Sequence, residues 1–338
     1  MDIKIITVCG YFGQSLPTDS SIDTEKLAKY LELKKHTIST VDIQDLQSEE
    51  IDTQAYYIVG SHQNPDIKKY IDDTLNIVFY GKNEKLLIPN KYNILAHENK
   101  GVQALLAKKI GAEYFPHQEY FIRPVGISKT VVAKKTDGAG SSGVELVNNN
   151  EALIQVLKKF SRYDLNLNYL MFALKSLIKK HFLKNKYSES FNTYHKKYTR
   201  YCLQEFYSGL TCDYKVLAFG STLYVLQRDV RSGSFKASGS GKFTYPNAES
   251  ELLDFCDTLR KKIETPYVSL DIVKLKDGSF KCIEFQCVHF GPYTQMNAKK
   301  KYVKSEHGVW LTEENNLSLE EVYAQALDEY LTKSAEQK

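Results

Sequence analysis

The chain has 338 residues, of which 42% are apolar and 25% charged, with a formal net charge of +4. That length allows two domains or one large α/β body with an ample core. No run of about 18 apolar residues occurs, which excludes a membrane-spanning helix. Met1 to Val8 reads as a first β-strand and lacks the apolar core of a signal peptide. Cys9, Cys202, Cys212, Cys256, Cys282 and Cys287 show no C-x-x-C or zinc-type spacing. They are expected as thiols of a reducing, cytoplasmic setting.

In chain order, Ile3 to Cys9 predicts a strand, followed by a Gly10-x-x-Gly13 turn that is not a dinucleotide fingerprint. Asp23 to Leu33 has helical spacing. Ala55 to Val59 and Ile77 to Tyr80 read as short β-rich runs, with another near Lys85 to Pro89. Strands alternating with helices predict an α/β fold with a parallel sheet. A helix is expected over Asn99 to Gly111. Strands follow at Glu119 to Arg123, Thr130 to Lys134 and Gly143 to Val147, then a helix over Asn150 to Phe160. Further strands are expected at Tyr201 to Phe206, Asp213 to Phe219 and Thr222 to Arg228. Helices are expected at Ala248 to Ile263 and Ser318 to Leu331.

Three segments carry chemistry. Asp271 to Gln286 reads as a hairpin turning at Lys276-Asp277-Gly278. Glu284 and Gln286, two apart, share a strand face, and Asp271 sits on the partner strand. Such oxygen donors suit Mg²⁺, with Mn²⁺ as an alternative. In the second segment, Lys134 ends a β-run and is followed by the loop Gly138, Ala139, Gly140, Ser141, Ser142, Gly143. Glycine-rich backbone approaches phosphate oxygens closely, and the lysine adds a point charge. The third runs from Gln204, Glu205, Phe206 and Tyr207 through Asp213 and Lys215 to Arg228 and the glycine- and serine-rich stretch after it. Cations there suit a polyphosphate. No aromatic-interleaved platform for nucleic acid is present. Flexible or solvated hairpins are the structural alternatives for these segments.

Taken in order, these motifs resemble the ATP-grasp superfamily across nearly the whole chain. The resemblance implies a pre-ATP-grasp α/β domain over 1–95, then a two-lobed, α+β ATP-grasp fold. One lobe would span 96–200 and the other 201–332, with a frayed tail at 333–338. By the same resemblance, Lys100 and Lys134 would hold ATP phosphates under the 138–143 loop. Gln204, Glu205, Phe206 and Tyr207 would meet adenine, and Glu205 or Asp213 the ribose. Lys215 falls in the position of the family's D-x-R/K strand, among the nucleotide and catalytic groups. Asp271, Glu284 and Gln286 would bind the metal, and Arg228 would stabilise an acyl phosphate. The family usually has asparagine where this chain has Gln286, which suggests a variant subfamily. His289, beside the metal residues, would orient a substrate or act as a base; a packed histidine is the alternative.

The resemblance implies ligation of a carboxylate to an amine through an acyl phosphate, with ADP and phosphate released. A kinase acting on a hydroxyl or amide, and a nucleotide-binding protein without turnover, are the alternatives. Similarity to sequences found with bacterial surface-polysaccharide genes suggests a sugar carboxylate or another small metabolite as substrate. Between Arg162 and Arg200 lie nine Lys or Arg against Asp164 and Glu189, a local charge of +7 that leaves −3 elsewhere. Apolar residues at helical spacing run through this segment from Leu165 to Leu183. A helix packed on the body or across a homodimer, a lid over an anionic acceptor, and peripheral contact with anionic lipid all fit this pattern. The Lys299-Lys300-Lys301 run is expected either to flank the acceptor or to be a solvated loop.

Overall fold

In a computed structural model, which describes residues 1–138, 143–162, 167–195, 198–231, 233–237 and 241–336, the chain divides into two units. One comprises 1–116 with 207–338, the other 117–206.

The first unit opens with strands β1 (Asp2–Thr7), β2 (Thr37–Asp42), β3 (Tyr56–Val59) and β4 (Leu87–Ile88), with helices α1 (Thr24–Leu33) and α2 (Pro65–Val78) between them. All four strands are parallel, in the order β2-β1-β3-β4. Side chains alternate across β1. Ile3 and Ile5 join Leu27 and Leu31 of α1, whereas Ile6 joins Ile71 and Leu75 of α2. A parallel sheet buried on both faces needs this double-sided apolar content. β1 is flanked by strands reached in opposite directions, so the topological switch point lies beyond the carboxyl ends of β1 and β3. Gly60 follows β3 there, and a Cβ on it would lie 1.5 Å from the Phe12 carbonyl oxygen. Only glycine lets the loop after β1 pack this closely.

Two expectations change in this region. Ile77 to Tyr80 is not a strand: Ile77 and Val78 end α2, and Phe79 caps it. Asn64 accepts from the amides of Asp66 and Ile67 with Pro65 at the first position, and Ile67, Ile71 and Leu75 continue the helical stripe. A four-residue apolar run cannot by itself distinguish a helix end from a buried strand. The run from Lys85 to Pro89 is mainly a 3₁₀ turn (Glu84–Leu86), with only Leu87 and Ile88 in a strand. β2 gives no clear signal because it is a largely exposed edge strand. Helices α3 (Lys91–Ala96) and α4 (Lys100–Ile110) follow. The Asn99 side chain caps α4 by accepting from Val102 N–H, and Gly111 stops it.

The second unit contains β5 (Gln118–Phe121), β6 (Val131–Lys135), β7 (Val144–Val147), α5 (Asn150–Arg162), α6 (Leu167–Phe182), α7 (Glu189–Tyr194) and β8 (Tyr201–Glu205). The strands form an antiparallel sheet, β5-β8-β6-β7. Val131, Ala133, Tyr201 and Leu203 pack with Leu153, Leu157 and Phe160 of α5. Period-2 alternation therefore assigns Lys134 and Gln204 to the opposite face.

The first unit resumes with β9 (Cys212–Phe219), β10 (Thr222–Asp229), β11 (Phe243–Thr244), α8 (Ser250–Ile263), β12 (Tyr267–Lys274), β13 (Phe280–Gln286), α9 (Tyr293–Asn297), β14 (Lys300–Lys304), β15 (Trp310–Glu314) and α10 (Leu319–Glu336). The large sheet is ordered β13-β12-β9-β10-β14-β15, with β11 on β10. Leu252, Leu253, Cys256 and Leu259 of α8 cover one face, against Val216, Ala218, Val268 and Leu270. At one end of the other face, Leu217, Phe219 and Tyr267 pack under Tyr323 and Leu327 of α10. Towards the other end that face carries charged residues beside the apolar Leu226, which pairs with Lys215. Lys300 and Lys301 belong to β14, which lies between β10 and β15, rather than to a loop; a run of lysines hides the alternation that marks a strand. α10 extends to Glu336, so residues 333–336, expected as frayed, are helical. The parallel sheet followed by antiparallel ones matches the expected α/β and α+β architecture.

Gly60→Ala is expected to destabilise the protein by more than about 3 kcal/mol, because the obstructing atom is backbone that cannot rotate away. Chemical denaturation of the purified variant measures this, and near-wild-type stability would contradict the close approach.

Candidate active site

The polar part of the large sheet is assembled by strand register. β9 and β10 place Arg228 opposite Asp213, β9 and β12 place Asp271 opposite Lys215, and β12 and β13 place Asp271 opposite Glu284. Asp213 and Lys215 are two apart, as are Glu284 and Gln286, so all these side chains share one face. Their mutual contacts are direct. Arg228 donates from Nε to Asp213 Oδ1 at 2.6 Å and from its terminal nitrogen to Asp213 Oδ2 at 2.9 Å. The same guanidinium lies 2.9 Å from Asp271 Oδ2, and Lys215 Nζ donates to Asp271 Oδ1 at 2.9 Å. Lys100, buried at the start of α4, stands 3.7 Å from Glu284.

Two carboxylates and two cations thus share a largely buried row, and the acids are not equivalent. Burial raises the Asp213 pKa, and Arg228 only partly offsets this, leaving it at about 6. Burial acts on Asp271 in the same direction, but Arg228 and Lys215 together more than offset it and hold that carboxyl below the ordinary range. Asp271 is therefore the firmly ionised member.

Beyond the end of β13, a cluster that sequence reasoning did not anticipate surrounds Gln286. His97, only 1% exposed, has Nδ1 3.1 Å from Gln286 Oε1 and Nε2 3.3 Å from the His62 carbonyl oxygen. Burial drives the His97 pKa down to about 4, so the ring is neutral and carries a single N–H. Both facing oxygens are acceptors, so that one hydrogen serves either Gln286 or His62 according to the tautomer. The Gln286 amide oxygen has a second lone pair with which it can face a cation. His289 is also buried, with Nε2 3.0 Å from the Tyr11 hydroxyl and its ring centroid 5.3 Å from that of His97. Burial, and then the neighbouring histidines, lower its pKa to about 3. Isolated residues such as Tyr11, His62 and His97 form no motif, so nothing in the sequence marks them as neighbours.

The carboxylates of Asp271 and Glu284 and the carbonyl of Gln286 are hard oxygen donors. Among the described residues, no group of three or more His, Cys, Asp or Glu could hold a metal ion. Magnesium needs no such cage when phosphates and water complete its shell, so this donor set fits it.

The remaining expected site residues belong to the second unit, apart from Tyr207. Lys134, buried on β6, pairs with Val144 and Cys202 across the sheet. Gly143 has φ +73°, and a Cβ there would lie 2.8 Å from Lys135 Cβ, so the hairpin mouth requires glycine. Gly138 is described, while Gly140, Ser141 and Ser142 lie outside the described residues. The Gln204 side chain donates to Gln118 at 3.1 Å, and Glu205 is paired with Lys129 at 2.9 Å. Phe206 ends this unit, and Tyr207 begins the return to the first.

No family model and no curated protein matches the sequence. Solved structures are similar at the level of fold. D-cycloserine synthetase DcsG is 12% identical, covering 98% of this chain and 100% of its own, with a TM-score of 0.54. D-alanine–D-alanine ligase from Bacillus anthracis, complexed with ATP, is 13% identical over all of both chains, also at 0.54. The ATP-grasp ligase PsnB, complexed with minimal precursor, Mg and ADP, is 12% identical over 97% and 96%, at 0.50. The chain has the ATP-grasp fold along nearly its whole length.

The two neutral imidazoles give acid stability a definite sign. Below about pH 6.5 the unfolded chain protonates His97 and His289, but the folded protein does not until about pH 4 or lower. Stability should therefore fall on acidification through this window, by about 1.4 kcal/mol per pH unit for each ring. His97→Asn should reduce the slope by about that amount in denaturation curves recorded at several pH values. An unchanged slope would contradict the buried neutral ring.

Proposed function

We propose that the protein is an ATP-dependent, ADP-forming ligase that joins a carboxylate to an amine through an acyl phosphate. The observation that carries this reading is the Asp271–Glu284 pair, held on the same sheet face as Lys215 and Arg228 in a chain of ATP-grasp fold. The structural relatives named above are ligases and a synthetase, which supports bond formation over hydrolysis.

In this proposal Asp271, Glu284 and Gln286 hold Mg²⁺, or Mn²⁺, against the nucleotide phosphates. When bound, the metal supplies positive charge to the transferring phosphoryl group. The chain's own residues do the rest. Lys215, and the Arg228 N–H groups not taken by Asp213, face the phosphoryl oxygens and the developing acyl phosphate. Asp213 keeps the Arg228 fork in place, since its bidentate contact fixes the guanidinium plane. Lys100 and Lys134 neutralise further phosphate charge. Gln204 to Tyr207 receive adenine, and Glu205 receives the ribose. His289 orients the acceptor; an imidazole with a pKa near 3 is too weak a base to deprotonate an ammonium group at neutral pH. The substrate class we infer is a sugar acid or another small carboxylate together with an amine, as in bacterial surface-polysaccharide assembly.

Incubation with Mg-ATP and a library of carboxylate and amine pairs should release ADP only when both are present. A stable phosphoester formed with an alcohol alone would replace the ligase by a kinase. Glu284→Ala and Lys134→Ala should each lower turnover by about 10²-fold or more, the cost of removing a group that stabilises developing charge. Near-normal rates in both, with the fold intact, would overturn the site assignment.

A further inference from the structure

Helix α6 presents a face that its own unit does not cover. On its inner side Phe172 packs against Phe191 and His195 of the α7 segment, with ring centroids 6.0 and 5.2 Å away. Ser176 donates a hydrogen bond to the Asn192 side chain, and Lys179 lies over the Phe191 ring. The outer side carries Leu170, Met171, Leu174, Leu177, Ile178 and Phe182, between 43% and 81% exposed. At 100° per residue these six fall within one arc of the helix, which also takes in the exposed His181 near its C-terminal end, and Lys175 and Lys180 stand beyond its two edges. Single exposed apolar residues are ordinary on a protein surface, whereas a contiguous stripe of six marks a contact site.

We propose that this face docks onto an anionic lipid surface, the helix lying in the plane of the interface. An apolar stripe bordered by lysines is the pattern that lets a helix sink its apolar side to the acyl boundary while its cations meet headgroup phosphates. Charge selects the occupant. The 162–200 segment carries +7, while the rest of the chain carries −3. A second copy would bring an equal positive charge against the first, whereas an anionic bilayer is complementary to it. Sixteen residues make a helix about 24 Å long, enough to seat the whole stripe at once. The docking surface is separate from the nucleotide chemistry and does not depend on it.

Flotation of the full-length protein with phosphatidylcholine vesicles, and with phosphatidylcholine–phosphatidylglycerol vesicles, tests this. The protein should float with the anionic vesicles only, and added salt should weaken the association. Lys175→Gln and Lys180→Gln should each weaken it about fivefold. The double variant Leu174→Asp/Ile178→Asp should stay unbound while its thermal unfolding is unchanged, since both side chains are already exposed. Failure of the wild type to float with anionic vesicles would overturn the proposal, as would flotation of the double variant. A concentration-dependent dimer abolished by the same two substitutions would assign the face to a second copy instead. Binding to polyglutamate but not to vesicles would assign it to an acidic polypeptide.

Discussion

The arrangement depends on keeping charge balanced on one partly buried sheet face. Asp271 is ionised because Arg228 and Lys215 are both within 2.9 Å of it, and Arg228 is held by a second acid, Asp213. Removing any one member leaves an uncompensated charge in a poorly solvated place, which is costly.

The fold braces this row of charges through the packing of its strands. Helix α8 fills the opposite side of the same strands, so Val216, Val268 and Leu270 anchor the residues that alternate with Lys215, Ser269 and Asp271. Helix α10 covers the far end of the functional face through Tyr323 and Leu327. Charges are thereby confined to the end where β9, β10, β12 and β13 bring them into register. The neutral His97 lies next to this row without adding to its charge. It acts on Gln286 by orientation alone, through the contact of its Nδ1 with the amide oxygen.

Much of this was legible in the sequence, for specific reasons. The Lys-Asp-Gly turn fixes the β12–β13 hairpin, but Asp271 comes opposite Glu284 only through a register shift between Asp271 and Ile272, which the turn does not encode. Asn99 and Gly111 bracket α4 as capping rules require. Other features depend on partners distant in the chain. Arg228 reaching Asp271 needs the register of three strands at once, which no local pattern encodes. His97 meeting Gln286 joins residues 189 positions apart. The apolar run at Ile77 to Tyr80 misleads because a helix end and a short buried strand share the same composition. The basic segment announces its helix through periodicity, but its uncovered face emerges only when α7 is seen to occupy the other side.

Manganese can report directly on the oxygen donors, without any knowledge of the substrates. Electron paramagnetic resonance of Mn²⁺ titrated into the protein with ADP should show saturable, nucleotide-dependent binding. Glu284→Gln should weaken it by more than the roughly tenfold that loss of an outer-shell partner costs. Absence of nucleotide-dependent binding in the wild type, or unaltered binding in the variant, would contradict a metal–nucleotide site on this sheet face.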